Sequence, residues 1–192
     1  MPFHSEADRR SLLDLARRAI SAAVSFQKPL EDIPGGGVFA EPCGVFVTLH
    51  THERLRGCIG VVETLEPLGE AVARCAASAA LGDPRFSPVQ PDEVRELQIE
   101  ISLLSSLEPI HPENIEIGTH GLLVSHGPRR GLLLPQVALE HKFSREQFLA
   151  ETCRKAGLHM NAWQEPGAQI FGFRCEVFSE TNLEHTQPPP QI

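Results

Sequence analysis

Arg56, Gly57, Cys58, Ile59 and Gly60 follow LHTHERL without a break, and this run holds the residue types most suited to covalent chemistry. In a strand, alternate side chains share a face, so Arg56, Cys58 and Gly60 point one way and Leu55, Gly57 and Ile59 the other. Arg56 and Cys58 are then about 6.5 Å apart along the strand. A guanidinium at that range favours thiolate over thiol. Gly60 on the same side leaves room for a ligand or a second backbone. One reading is a nucleophilic or ligand-contacting Cys58 in a small, positively charged recess. The other is an unreactive buried cysteine, with Arg56 paired to a carboxylate such as Glu100. A site that binds without covalent chemistry lies between the two.

A second candidate is DPRFSP, residues 83 to 88, where two prolines stiffen a loop. Arg85 there offers a forked donor to a carboxylate or phosphate. The plainer alternative makes Asp83 a helix-terminating turn residue, Arg85 a solvated cation and Phe86 a core anchor. Gln136, after LLLP at the end of an apolar strand, needs a hydrogen-bond partner, most simply a backbone group. His50 and His52 are spaced to share a strand face and grip a metal from one side. No third ligand accompanies them, so solvated hairpin histidines are the better reading and no metal is expected. No G-x-S-x-G elbow, phosphate loop or G-x-G-x-x-G turn is present. The GGG at 35 to 37 follows a proline and reads as a flexible turn.

The elements that must position these residues are legible from their periodicity. Ser5 with Asp8 resembles a capping box, and Leu12, Leu15, Ala16, Ala19, Ile20 and Ala23 then form one stripe, predicting a helix from about Ser5 to Val24. Gln27 to Pro42 is a Pro- and Gly-rich connection. CGVFVTLH alternates as a strand, His52 to Arg54 make a turn, and LRGCIGV returns as its partner. EPLGEAVARCAASAALG is a helix closed by Gly82, and LQIEISLLSSL is a third strand. GLLVSHGPRRGLLLPQ reads as a hairpin turning at GPRRG. Ser144 with Gln147 opens a further helix ending near Gly157, and AQIFGFRCEVFSE is a last strand with a slip in its alternation. Strands come in hairpins, not in a β-α-β rhythm, so the class is α+β with a mainly antiparallel sheet packed with helices.

The chain has 192 residues, enough for one domain with a real core, and a formal charge of −8. That acidic balance disfavours general nucleic-acid binding. No apolar run reaches the ~20 residues of a membrane span. Without a signal core, and with five separated cysteines at 43, 58, 75, 153 and 175, a cytoplasmic protein without disulfides is expected.

FVTLHTHERLRGCIG, AASAALGDPRFSPV, LQIEISLLS, IEIGTHGLLVSHGPRRGLLLPQVALE and FLAETCRKAGL with Trp163 resemble, in order, the AMMECR domain. Prokaryotic members are called protein A of the AmmeMemoRadiSam system. The resemblance spans Phe46 to Phe178, with RGCIG and the D-x-R-F segment its most specific parts. It implies a larger sheet-and-helix lobe joined by a smaller one, as a single domain over 1–185; the Pro-rich residues 186–192 themselves read as a loose tail. It also implies a cleft beside RGCIG and partnership with a Memo-like protein and a radical S-adenosylmethionine protein; no cofactor is expected. Relatives commonly carry a lysine- and glycine-containing turn where this chain has HTHER, and Trp where it has Phe143. The binding set expected on these grounds is Arg56, Gly57, Gly60, Asp83, Arg85, Phe86, Glu100 and Gln136 around Cys58 as candidate nucleophile, acting on a small anion, with Glu100 orienting an arginine. The competing expectation is a non-catalytic interaction module, and a homodimer is compatible with either.

Overall fold

The computed structural model describes residues 4–181. The described residues form two compact units: the first takes 4–103 and 176–181, and the second, 104–175, is inserted between those two stretches in sequence. The expected tail at 186–192 lies outside the described residues.

In the first unit, helix α1 (Glu6–Ser25) opens on the predicted capping box: Ser5 Oγ accepts the Asp8 N–H while the Asp8 carboxylate accepts the Ser5 N–H. Its apolar stripe, Leu12, Leu15, Ala16, Ala19 and Ile20, is fully enclosed. Strands β1 (Gly44–Thr51) and β2 (Arg54–Val61) form an antiparallel hairpin, followed by α2 (Leu68–Leu81) and β3 (Gln98–Leu104). With β8 (Cys175–Ser179) they make a four-stranded sheet in the order β2-β1-β3-β8. Val45, Val47, Leu49, Ile99, Ile101 and Leu103 form one core with the stripes of α1 and α2. Period-two burial on the strands meets period-3.6 burial on the helices, which is why the sequence pattern was sufficient to find them.

The second unit holds a sheet ordered β4-β7-β5-β6. Its strands are β4 (Glu108–Pro109), β5 (Gly121–His126), β6 (Arg129–Leu133) and β7 (Ala168–Phe173), with α3 (Pro135–Glu140) and α4 (Arg145–Lys155). Phe148, Leu149 and Cys153 of α4 close a core with Leu122 and Val124. Ser144 and Gln147 form the second expected capping box. Both sheets are antiparallel and the fold is α+β.

Three local expectations change. The β5–β6 turn is only Gly127-Pro128, because Arg129 and Arg130 already pair with His126 and Ser125. The strand ends at Leu133, and Gln136 does not follow it directly: Pro135 starts α3, where its missing N–H costs nothing, so Gln136 sits in a helical first turn. The supposed last strand is two strands in different sheets. The break is at Arg174, whose N–H goes to Ser105 Oγ and whose carbonyl accepts the Ser105 N–H, both at 2.9 Å. The slip in alternation was the chain changing sheets.

Candidate functional site

Thr51 and Arg54 close the β1–β2 hairpin, and from there the register would set Leu49 against Arg56. Instead Leu49 pairs with Gly57, so a bulge leaves Arg56 without a cross-strand partner. The same step brings Thr48 opposite Cys58. A bulge frees a side chain from the ladder and re-aims it. Arg56 uses that freedom to leave Cys58. Its Nε and Nη2 meet the two Glu93 carboxylate oxygens at 3.0 and 3.1 Å, and Nη1 donates to the Ser87 carbonyl at 2.9 Å. The Arg56 guanidinium holds the Glu93 carboxyl below its ordinary range, helped by the Gln90 N–H. The carboxylate facing Arg56 is thus Glu93, not the expected Glu100. With its side chain 17% exposed and all three nitrogens engaged, Arg56 pins the 87–93 segment to the sheet.

The cation beside Cys58 is Arg85. Asp83, its side chain only 2% exposed, receives the Cys58 N–H at 2.9 Å, the Arg85 N–H at 3.1 Å, Arg85 Nε at 3.0 Å and Arg85 Nη2 at 2.7 Å. Nη2 also reaches the Cys58 carbonyl at 3.4 Å. The Arg85 guanidinium, ahead of every other influence, drives the Asp83 carboxyl far below the carboxylate range, with burial opposing it. Arg85 is raised in turn, first by its hydrogen bonds to Asp83. Its guanidinium carbon lies 5.4 Å from the centre of the Phe86 ring, yet the side chain stays 54% exposed. Such an arginine is immobilised without being hidden. On the opposite strand, Thr48 Oγ1 donates to Cys58 Sγ at 3.3 Å, and the thiol is half-buried, unlike Cys43, Cys75 and Cys153.

The two glycines do different work from that expected. A Cβ on Gly57 would stand 2.1 Å from the Ala79 carbonyl oxygen, so this glycine lets β2 touch α2. A Cβ on Gly60 would stand 2.3 Å from the Phe46 ring. The room beside Gly60 is therefore filled by Phe46 and is not open to a ligand. Gln136 belongs to the second unit. His52 and Glu53 occupy the hairpin turn itself, both with positive φ (49° and 61°), which breaks the shared face that His50 and His52 would need. Among the described residues, no group of three or more His, Cys, Asp or Glu side chains is arranged to hold a metal ion, and no helix is long and apolar enough to cross a membrane.

Sequence reasoning missed Glu93, the Ser87 carbonyl and Thr48. Only Thr48 left a trace, as a polar residue on the alternating face opposite LRGCIG.

This geometry defines an α+β protein whose RGCIG strand and DPRF loop are locked together by a clamp of buried Asp83 and exposed Arg85. The chain belongs to the AMMECR1 family, whose profile matches residues 13–178. It is 41% identical over 186 residues to a protein of Methanothermobacter thermautotrophicus, covering 92% of this chain and 96% of that one. It is 44% identical over 183 residues to a protein of Methanopyrus kandleri, covering 90% and 88%. Among solved structures, an uncharacterised protein of Pyrococcus horikoshii matches with a TM-score of 0.83 and 39% identity, over 88% of this chain and 90% of that chain.

Proposed function

We propose that the clamp is a ligand-contacting site for a small anion, and that the chain is an accessory enzyme or substrate-binding component in the cytoplasm. Its partners in this reading are a Memo-like protein and a radical S-adenosylmethionine protein, as in the AmmeMemoRadiSam system. The observation that carries it is Arg85: a nearly enclosed carboxylate fixes the guanidinium beside Cys58 while over half of that side chain remains exposed. Burying a carboxylate is costly unless its hydrogen bonds are met. Here they are met by a cation left facing solvent and by the backbone beside the thiol. Asp83 and Phe86 hold Arg85 in place, Arg85 contacts the anion, and Cys58 touches it. Arg56 and Glu93 set the loop from behind.

The test is alkylation of the native protein by iodoacetamide at pH 7, read by mass spectrometry. Cys58 is expected to label ahead of Cys43, Cys75 and Cys153, and phosphate or citrate to slow it. Labelling no faster than a free cysteine model, indifferent to either anion, would remove the site. A normally folded Cys58→Ser protein that keeps full partner-dependent activity would remove only the thiol's part.

A second reading, a non-catalytic adaptor, is favoured by one observation. Arg56 and Arg85 each already face a carboxylate, so the local charge is largely balanced.

A further inference from the structure

We propose that the second unit carries a separate binding site, independent of the Cys58 clamp, for a small planar aromatic anion. The hollow in question measures ≈ 630 Å³. It lies between the end of β6, α3 and α4 and has an apolar floor of Leu133 and Val137. Small-molecule sites fall in this range and combine an apolar lining with a few convergent polar groups.

Its wall is aromatic. The rings of His141 and Phe143 stack with centroids 5.1 Å apart and planes 14° from parallel. The stack exists because Lys142 between them takes a left-handed conformation, φ 53°, where glycine is the usual occupant. The reversed chain is held by Lys142 N–H to the Leu139 carbonyl and Phe143 N–H to the Ala138 carbonyl. A flat ligand ring extends such a stack at little entropic cost.

Its rim is cationic. Arg154 donates Nε and Nη2 to Glu151 Oε2 at 2.8 and 2.5 Å, so its fork is turned towards that carboxylate. Lys155, exposed in the last turn of α4, forms no ion pair among the described residues. The ammonium of Lys155 is thus the group that takes a carboxylate or phosphate, while Glu151 accepts a ring N–H where the ligand has one. Stacking wall, apolar floor and unspent cation together select an aromatic acid over an aliphatic acid or a neutral arene.

The test uses 2-naphthoate as probe and follows backbone amide shifts of the full chain by NMR. Saturable shifts confined to residues 133–155 are expected. The neutral 2-naphthamide should bind about tenfold more weakly, and Lys155→Gln should weaken 2-naphthoate by a similar factor. Lys155 is exposed, so that variant folds. His141→Ala should weaken acid and amide alike. Equal binding of acid and amide, or no loss in Lys155→Gln, would overturn the site as an anion site. Absence of saturation up to about 10 mM would overturn it altogether.

Discussion

Asp83 accepts the backbone N–H of Cys58 at 2.9 Å, and Arg85, held on the same carboxylate, reaches the Cys58 carbonyl. β2 is an outer strand of its sheet, so those two backbone groups point away from β1. A pair of side chains therefore stands where another strand would be. The contact that fixes the candidate site also satisfies the sheet edge at its centre, where unpaired groups invite association between chains.

Removing the clamp should show in the acid limb of stability. The carboxyl of Asp83 titrates well below its ordinary value, so its ionised form stabilises the fold. That contribution is fully present above the unfolded value near ~4 and is lost as pH falls from there towards the depressed folded value. Asp83→Asn should lower stability by about 1–3 kcal/mol at pH 7. It should also decline less than the parent between pH 5 and pH 2, where the unfolded chain takes up a proton on Asp83 that the folded clamp still refuses. Urea midpoints across that range check both statements. Equal acid slopes would sink them.

Gly57→Ala should be the more severe of the single-methyl changes in the RGCIG run. The new Cβ would meet a helix carbonyl at 2.1 Å, and neither backbone can yield cheaply. A loss of about 1–3 kcal/mol or more is expected, seen as a fall in thermal midpoint with the clamp residues intact.

The hairpin turn is improvable. His52 and Glu53 both carry positive φ, which suits Asn-Gly and strains other pairs. His52→Asn combined with Glu53→Gly should stabilise the protein by about 1 kcal/mol, raising the midpoint by roughly 2–4 °C. No rise in a calorimetric scan would show that the turn is already relaxed.

Phe148 is fully enclosed in the core of the second unit. Phe148→Ala should cost about 3–5 kcal/mol. Hydrogen exchange should report the loss in β5, β6 and α4, because those elements share its core.

Much of the fold was legible because its signals are local. Ser5 with Asp8 and Ser144 with Gln147 declare their helices within four residues, and both boxes are present. The site was less legible because its pairings are not. Strict alternation sets Arg56 beside Cys58, but the bulge that breaks it depends on how β2 registers with β1. Glu93 reaches Arg56 across 37 residues and Asp83 reaches Cys58 across 25. No spacing rule announces either. Helix α3 was hidden for another reason: six residues are too few to establish a period, and LLLP continues the apolar run of β6.

The chain leaves the first unit at Leu103 and resumes it at Glu176, and Ser105 and Arg174 are fastened to each other by two hydrogen bonds. Departure and return are therefore neighbours, so the 72 intervening residues, 104 to 175, make a closed loop of thread in the chain's path. Replacing them with a short glycine-serine bridge should leave a soluble remnant with the far-ultraviolet spectrum of a helix-covered sheet. An unfolded remnant would mean that the inserted piece is a scaffold for its host and not a passenger.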